Sequence, residues 1–538
     1  MMIIPPVFLY AETHYRFKYF FSLYKKSQPE IITDGPHRLD PDQPYPILIL
    51  IKDADIYPVD LLSIRVTLYH DARREYSHTF EFAPSVKIRT HYWHKVIDLN
   101  FSGTLASLHG LMYIDVEVVT EQNGRITITR NNNHRFTSKA PLRFYRSKTH
   151  LPSINGWVYG DAHTHSTYTE DQVEFGSPIE AATKLCRAMG ISFFGVTDHS
   201  YDLDDRVDSY LLNDPALPKW NAFLREVDMV NCTEKDFAVL RGEEVTCTNS
   251  DGNNVHFLLF GNRRFFHGSG DGGEKWFRTK SEYTIQQILQ EKERDAVTFA
   301  SHPTEEVPFL QNLFLKRDEW TVGDMAEEEL SGIQILNGER SDAFYRGLDI
   351  WKWMLSRGMK KFLLAGNDAH GNFNRYVQIS IPMLSFRENY SQLFGRMKTA
   401  VLTHEISEQT ILKAIRHGNS IITNGPLLTL SIETDAPDVG ISGETVTGNR
   451  FVVKLHGETT DEFGTFKHIT VFIGIIGKGE RMLFDIKQFS DPHSIHRISD
   501  WHHAEYFSYI RAEASTHHAL GIDRDGFCYT NPIWIQPK

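Results

Sequence analysis

Leu364-Ala-Gly-Asn-Asp-Ala-His-Gly371 closes a short apolar run with an Asp-x-His pair, Asp368 and His370. Upstream, Trp157-Val-Tyr-Gly-Asp-Ala-His163-Thr-His165 ends the same way in a His-x-His pair. Between them stand Val196-Thr-Asp-His199-Ser, Gly242-Glu-Glu244, Val255-His256-Phe and Ala300-Ser-His302-Pro. Nearly every one of these polar residues sits at the downstream end of an apolar run. A parallel β/α barrel gathers the C-terminal ends of its strands on one face, so such residues would converge there despite their distance in sequence.

The surrounding pattern agrees with that reading. From Trp157 to about Pro426, strand-like runs alternate with helix-like ones. The first helix has Ser177 as a cap, Pro178 at its first position, Glu180 completing a Ser-x-x-Glu box and Gly190 as its stop. Ile285 to Arg294 leads into Ala296-Val-Thr-Phe-Ala, and Leu348 to Ser356 leads into Phe362-Leu-Leu-Ala. A last helix runs from Glu408 to His417, between Ser407 and Gly418. Repeated strand–helix units predict a parallel sheet or barrel. Residues 1–152 are β-patterned instead, with Ile114-Asp-Val-Glu-Val and Ile126-Thr-Ile on either side of an Asn123-Gly124 hairpin turn. After Pro426 the β pattern returns, as in Phe451-Val-Val-Lys-Leu. The expected architecture is therefore α/β: an N-terminal β-sandwich (1–152), a barrel (153–426) and a C-terminal β-rich domain (427–538).

Bulk properties limit the partners. A chain of 538 residues exceeds one ordinary core, and 41% hydrophobic content gives it ample material to bury. A formal charge of -12 argues against a general nucleic-acid-coating surface. Bound divalent ions could still supply local positive charge for a small phosphorylated substrate. The four cysteines form no Cys-x-x-Cys pair, which favours a reducing compartment and weighs against a thiolate zinc site. No stretch approaches a bilayer-spanning length and the N-terminus lacks a basic lead, so a cytoplasmic protein without membrane contact is expected; its oligomeric state is left open.

Residues i and i+2 of an extended segment project to one side, so His163 and His165 can reach one ion. A lone His-x-His is weak, but six strand ends all carrying His or carboxylate are hard to obtain as ordinary capped polar residues. Imidazole and carboxylate without thiolate suit Zn, Mn or Fe. The pattern predicts a multinuclear metallohydrolase, in which metal-held water serves as nucleophile and no Ser or Cys nucleophile is needed.

The motifs His163-Thr-His165-Ser, Thr197-Asp-His199, Ala300-Ser-His302-Pro and Asn367-Asp368-Ala-His370 resemble those of the polymerase and histidinol phosphatase (PHP) superfamily of metal-dependent phosphoesterases. Thr423-Asn-Gly-Pro and Tyr529-Thr-Asn-Pro-Ile-Trp more weakly resemble its carbaryl-hydrolase-like subgroup. The resemblance implies a distorted (β/α)7 barrel, TIM-like in plan, and usually three divalent ions. It also implies their ligands. One ion would take His163, His165, Glu244 and Asp368; a second Glu244, His256 and His302; a third His199, His370 and a carboxylate from Thr169-Glu170-Asp171-Gln172. Glu170 aligns by counting, and Asp171 is the preferred reading. Glu243 would stand behind the ligands.

Three further residues are candidates near the chemistry. Asp198 would orient or protonate near His199 rather than ligate. Arg375, five residues beyond His370, and Arg340, after Leu336-Asn-Gly-Glu, could hold a substrate phosphate in a bidentate fork, against the plainer reading of surface ion pairs. The expected activity is hydrolysis of a phosphomonoester, a nucleotide or an oligonucleotide end through a metal-bridging hydroxide. Carbamate or carboxylic-ester hydrolysis by the same cluster is the alternative, and a metal-stabilised binding scaffold is the non-catalytic one. The C-terminal pairs His502-His503 and His517-His518 read as solvated surface.

Overall fold

The computed structural model describes residues 27–134, 137–169, 176–207, 209–270, 279–376, 378–381, 384–387, 392–518, 520–521 and 525–538. Its N-terminal part is a β-sandwich. A three-stranded sheet (Glu30–Asp34, Tyr45–Lys52, Tyr92–Leu99) faces a six-stranded one centred on Val59–His70 and Gly110–Gln122. Alternating residues such as Ile47, Ile49 and Ile51 meet Ile64, Val66, Ile114 and Val116 in its core. The Asn123-Gly124 turn joins its strands as read from sequence, both residues having positive φ, which a two-residue hairpin loop of this twist requires.

The middle of the chain departs from the barrel expectation. Among the described residues strand makes up 45% and helix 15%, and most strands of this middle part join one continuous sheet that curls through half a barrel. In chain order its site-bearing strands are β1 (Trp157–His165), β2 (Phe193–Val196), β3 (Ala238–Thr248), β4 (Asn254–Phe260), β5 (Val297–Ala300), β6 (Gly332–Asn337), β7 (Phe362–Gly366) and the short β8 (Ala369–His370). β1, β2 and β3 run parallel, as do β5, β6 and β7, but β4 lies antiparallel between β3 and β5. The cause is local. Ser250-Asp-Gly-Asn253 makes a tight turn, with Asn249 N donating to Asn253 O at 2.8 Å, so β3 and β4 are a hairpin and no crossover helix separates them.

On its other side β1 pairs antiparallel with β9 (Lys398–Leu402), and β9 with β10 (Ser420–Thr423). β10 then pairs with Asp525–Thr530, so the sheet runs unbroken past residue 426 into the C-terminal part. There it faces a second sheet that includes β11 (Leu427–Thr434), β12 (Arg450–Glu458) and β13 (Ser494–Ile498), over a core of Leu430, Ile432, Val453, Leu455, Val471 and Ile510. A ring closed by seven strand–helix units is thus replaced by an open mixed sheet shared between two layers.

The helices pack against strands of this sheet. Ser341 caps Asp342–Leu355, which buries Phe344, Leu348, Trp351 and Leu355. Ser407 caps Glu408–Arg416 with a reciprocal bond to Thr410. The first helix, Ile179–Ala188, is not capped by Ser177, which instead bridges Ser166 beside the site. Among the described residues no helix is long and apolar enough to cross a membrane. Cys186, Cys232, Cys247 and Cys528 are free thiols, all buried except Cys232.

Candidate metal centre

The concave end of the curled sheet gathers eight buried residues into one cluster. β1 brings His163 and His165, two residues apart in extended backbone and both pointing inward. His199 follows β2, and a parallel bridge joins it to Glu244. Glu244 lies within β3 rather than at its end, and His256 near the start of β4. The hairpin register, Thr246 opposite His256, brings that histidine in from the antiparallel strand. His302 follows β5, and Asp368 and His370 follow β7.

Close packing shapes this end of the sheet. A Cβ on Gly366 would stand 2.4 Å from His163 Cβ, so only glycine lets β7 pass β1 here. Asp368 N donates to His163 O at 2.9 Å, with Asp368 at φ 51°. His302 has φ 27°. A non-glycine residue in this region costs on the order of 1–3 kcal/mol, and such strain collects where side-chain aim matters more than backbone comfort.

Glu244 is the hub. Its Oε2 lies 3.3 Å from His163 Nε2, 3.4 Å from His165 Nε2 and 3.2 Å from His199 Nδ1. Its Oε1 lies 3.1 Å from His256 Nδ1 and 3.4 Å from His302 Nε2. Asp368 Oδ1 faces His165 Nε2 at 3.0 Å and His163 Nε2 at 3.3 Å. Two ligands about 2 Å from one tetrahedral ion stand roughly 3.3 Å apart, so these are the separations of donors sharing an ion.

The outer partners of the rings fix where the protons sit. His163 Nδ1 donates to Gln334 Oε1 at 2.9 Å, and the Gln334 amide is itself held by Nε2 donating to Asn337 Oδ1 at 3.2 Å. Thr169 Oγ1 donates to Asp198 Oδ1 at 2.9 Å, leaving its lone pair for His165 Nδ1 at 3.3 Å. His370 Nδ1 donates to Asp368 O at 3.0 Å. In the neutral rings each Nε2 therefore carries a lone pair, and those of His163 and His165 point at carboxylate oxygens. That arrangement is repulsive until a cation lies between the donors, and it is the usual outer-ring bonding of a metal-binding histidine.

The electrostatics favour positive charge among these donors, which a proton on His163 supplies in the absence of an ion and a bound cation would supply in its place. Burial pulls the His163 pKa down, yet the charges of Glu244 and Asp368 outweigh it and raise it to about 10. Burial together with His370 and His199 pushes His165 well below its ordinary range. Burial opposes ionisation of Glu244 and Asp368, but the surrounding imidazoles hold both well below the usual carboxylate range. Within this cluster, three sets have donor atoms all within 4.8 Å: His163, His165, Glu244 and Asp368; His199, Glu244 and His256; and His165, His199 and His370. The first is the set implied from sequence. The second holds His199 where His302 was expected, and His302 reaches the cluster through Glu244 and by stacking on His163 at 5.9 Å. Glu170 and Asp171, the two candidates for the remaining carboxylate, lie outside the described residues.

Other predicted residues fall elsewhere. Asp198 accepts from Ser166 N at 2.7 Å, Ser166 Oγ at 2.6 Å and Thr169 Oγ1, and so pins the loop after the His-x-His pair. Burial raises its pKa despite those bonds. Glu243 accepts from Ser200 Oγ at 2.8 Å and Phe266 N at 3.2 Å, anchoring the residue after His199. Arg375 does not extend a free fork. It donates to Thr33 O at 2.7 Å, to Ser138 O at 3.4 Å, to Ala140 O and to Thr33 Oγ1 at 3.3 Å, all in the N-terminal sandwich. Arg340 stacks over Phe527 at 4.1 Å and bonds Tyr529 of the C-terminal part.

Several contributors went unread in the sequence. Gln334 and Ser301, whose Oγ donates to Glu244 Oε1 at 2.7 Å, stand beside the candidate donors. A glutamine inside the apolar run Gly332-Ile-Gln-Ile-Leu was the available signal, since a buried amide needs partners. Asn367 donates to Asp161 Oδ2 at 2.7 Å and Met397 O at 2.8 Å, locking the turn that carries Asp368.

No family model matches this chain, and no curated protein matches it. Among solved structures it is similar to a cycloisomaltooligosaccharide glucanotransferase from Paenibacillus sp. complexed with cycloisomaltoheptaose, at a TM-score of 0.18 and 7% identity, over 94% of this chain and 71% of that one. A glycosyl hydrolase family 2 member from Bacteroides cellulosilyticus gives 0.16 and 8%, over 95% and 63%. A β-glucuronidase from glycoside hydrolase family 2 gives 0.18 and 7%, over 95% and 62%. This chain thus spans less than two thirds of the length of those last two proteins. Likeness at such TM-scores specifies neither a shared fold nor a shared activity.

Proposed function

We propose that this chain is a metal-dependent hydrolase whose ligand set resembles that of the PHP phosphoesterases, acting on a small phosphomonoester, a nucleotide or an oligonucleotide end. The observation that supports it is the convergence of His163, His165, Glu244 and Asp368 on one point, with His199, His256, His302 and His370 around it. The reading rests on that donor set and its proton arrangement, not on the fold. Two or three divalent ions of the Zn, Mn or Fe class would supply acidified water and positive charge against the substrate's developing oxyanion.

The chain's own residues do the positioning. Gln334, Thr169 and the Asp368 carbonyl keep the Nδ1 protons on the outer side of three rings. Glu244 presents its two oxygens to separate groups of histidines, which suits a bridging ligand. Asp198 holds Ser166 and Thr169, the described residues that follow the His-x-His pair. Carbamate or carboxylic-ester hydrolysis is the second reading, favoured by one observation: Arg375 and Arg340, the two arginines expected to clamp a phosphate, are engaged by the flanking β structures. Turnover of phosphomonoester, oligonucleotide, carbamate and ester substrates in Mn2+ separates the two. Phosphoester turnover in excess supports the first reading, carbamate or ester turnover in excess replaces it with the second, and no turnover by metal-loaded protein contradicts both.

A further inference from the structure

We propose that His456, Glu458 and His496 form a second, separate site for one transition-metal ion of the Zn2+ class on the outer face of the C-terminal sandwich. β12 and β13 are antiparallel neighbours, and their register sets His456 opposite His496 and Glu458 opposite Ser494. His456 and Glu458 are two residues apart on an extended strand and share its outward face, while Leu455 and Gly457 between and beside them are buried. The register thus delivers three donors to one spot.

The donor geometry fits one ion. One ligand atom from each of the three lies within 4.8 Å of the others. His456 Nε2 and Glu458 Oε1 are 3.2 Å apart, close to the roughly 3.3 Å span of two ligands on a tetrahedral zinc. The His456 and His496 rings lie 3.8 Å apart between centroids at 32°. Ser494 Oγ donates to Glu458 Oε1 at 2.7 Å, giving the carboxylate the outer hydrogen bond that metal-binding carboxylates typically have. Nearby Lys454 is turned to Glu433, 2.5 Å away, so its charge is already paired. Two imidazoles and a carboxylate without thiolate select a borderline ion over Mg2+ or Ca2+.

The position gives the ion a task. β13 lies at the end of its sheet, and His496, Arg497 and Ile498 on it are exposed. An ion shared by His456 and His496 would cross-link this outer strand to β12 and close the chain segment carrying Phe466–Ile475 and Gly479–Ile486. With solvent completing its coordination, the site is open to exchange and acts as a staple for the strand.

The test uses the full chain with its buried centre loaded beforehand. Zn2+ is titrated by calorimetry, and Co2+ uptake is followed by visible absorption. Wild type is expected to bind one equivalent more than the H456A/H496A double variant, with unchanged hydrolysis in the double variant. D368N, altered only in the buried centre, should keep that extra equivalent and its Co2+ absorption. Equal stoichiometry in wild type and the double variant overturns the proposal. If the double variant fails to fold, H496A alone, at an exposed position, and E458Q serve instead. Each should weaken the extra equivalent at least tenfold, and undiminished binding in both overturns the site.

Discussion

Replacing Arg375 with Met separates a structural arginine from a substrate-binding one. The guanidinium is almost fully buried and donates to the carbonyls of Thr33, Ser138 and Ala140 and to the Thr33 hydroxyl. It also faces Asp34, whose Oδ2 accepts from Phe373 N at 2.7 Å. Removing it orphans buried carbonyls and leaves Asp34 without its countercharge, for a loss of about 3–5 kcal/mol, the range for breaking a buried pair from one side. At roughly 2–4 °C per kcal/mol, the apparent melting midpoint should fall by about 6–20 °C. The seam also continues through Asn374, which exchanges two hydrogen bonds with the Arg143 backbone, and through Ser138 N to Tyr376 O at 3.0 Å. It therefore grips residues 373–376, just after His370, and loosening it should lower metal content as well. Thermal scanning fluorimetry and elemental analysis of R375M read both effects. A variant with wild-type melting and metal content, impaired only by a raised KM, would refute this reasoning and restore the phosphate clamp.

Other outcomes follow from the same geometry. Gln334→Leu removes the partner of His163 Nδ1 without touching a ligand and should weaken metal binding about 10–100-fold, measured by competition with a chromophoric chelator. Gly366→Ala places a methyl against His163 and should cost metal content while far-ultraviolet circular dichroism stays unchanged; full metal content would contradict the close packing of β7 on β1. Burial raises Asp34 to about 6 from an ordinary 3.8, partly offset by Arg375 and backbone donors. The folded state therefore holds the extra proton between those values, and stability falls as pH rises through that window, by about 3 kcal/mol from this group. Urea titrations from pH 4 to pH 7 should show a shallower decline in Asp34→Asn than in wild type, and parallel profiles would count against it.

The sequence made the candidate donors legible because the residue types and spacing that suit a metal are local features. His163 and His165 at i, i+2, and polar residues terminating β2, β5 and β7, declare themselves by type and spacing. The fold was less legible, since the same alternation of apolar runs and polar ends serves a ring of strand–helix units and an open mixed sheet. The Ser250-Asp-Gly-Asn253 turn was the telling signal: it makes β3 and β4 a hairpin, sets Glu244 in mid-strand and reverses the approach of His256. The surroundings of Arg375 were not legible for a different reason. Five residues after a ligand, an arginine suits substrate contact equally well, and only the docking of the N-terminal sandwich shows where its donors go. That domain's hold on the segment after His370 depends on pairs more than 200 residues apart, such as Asn374 with Arg143, which no periodicity reveals.

The most direct measurement is metal content and hydrolysis in Asp368→Asn. Asp368 Oδ1 faces both histidines of β1, at 3.0 and 3.3 Å. The isosteric amide keeps the shape and removes the charge. Purified side by side, wild type should carry two or more equivalents of Zn, Mn or Fe and turn over one of the four substrate classes. D368N should lose at least one equivalent and its turnover while retaining the wild-type circular dichroism spectrum. Wild-type protein that binds no divalent metal at the buried centre, or D368N that hydrolyses at the wild-type rate, would contradict the account.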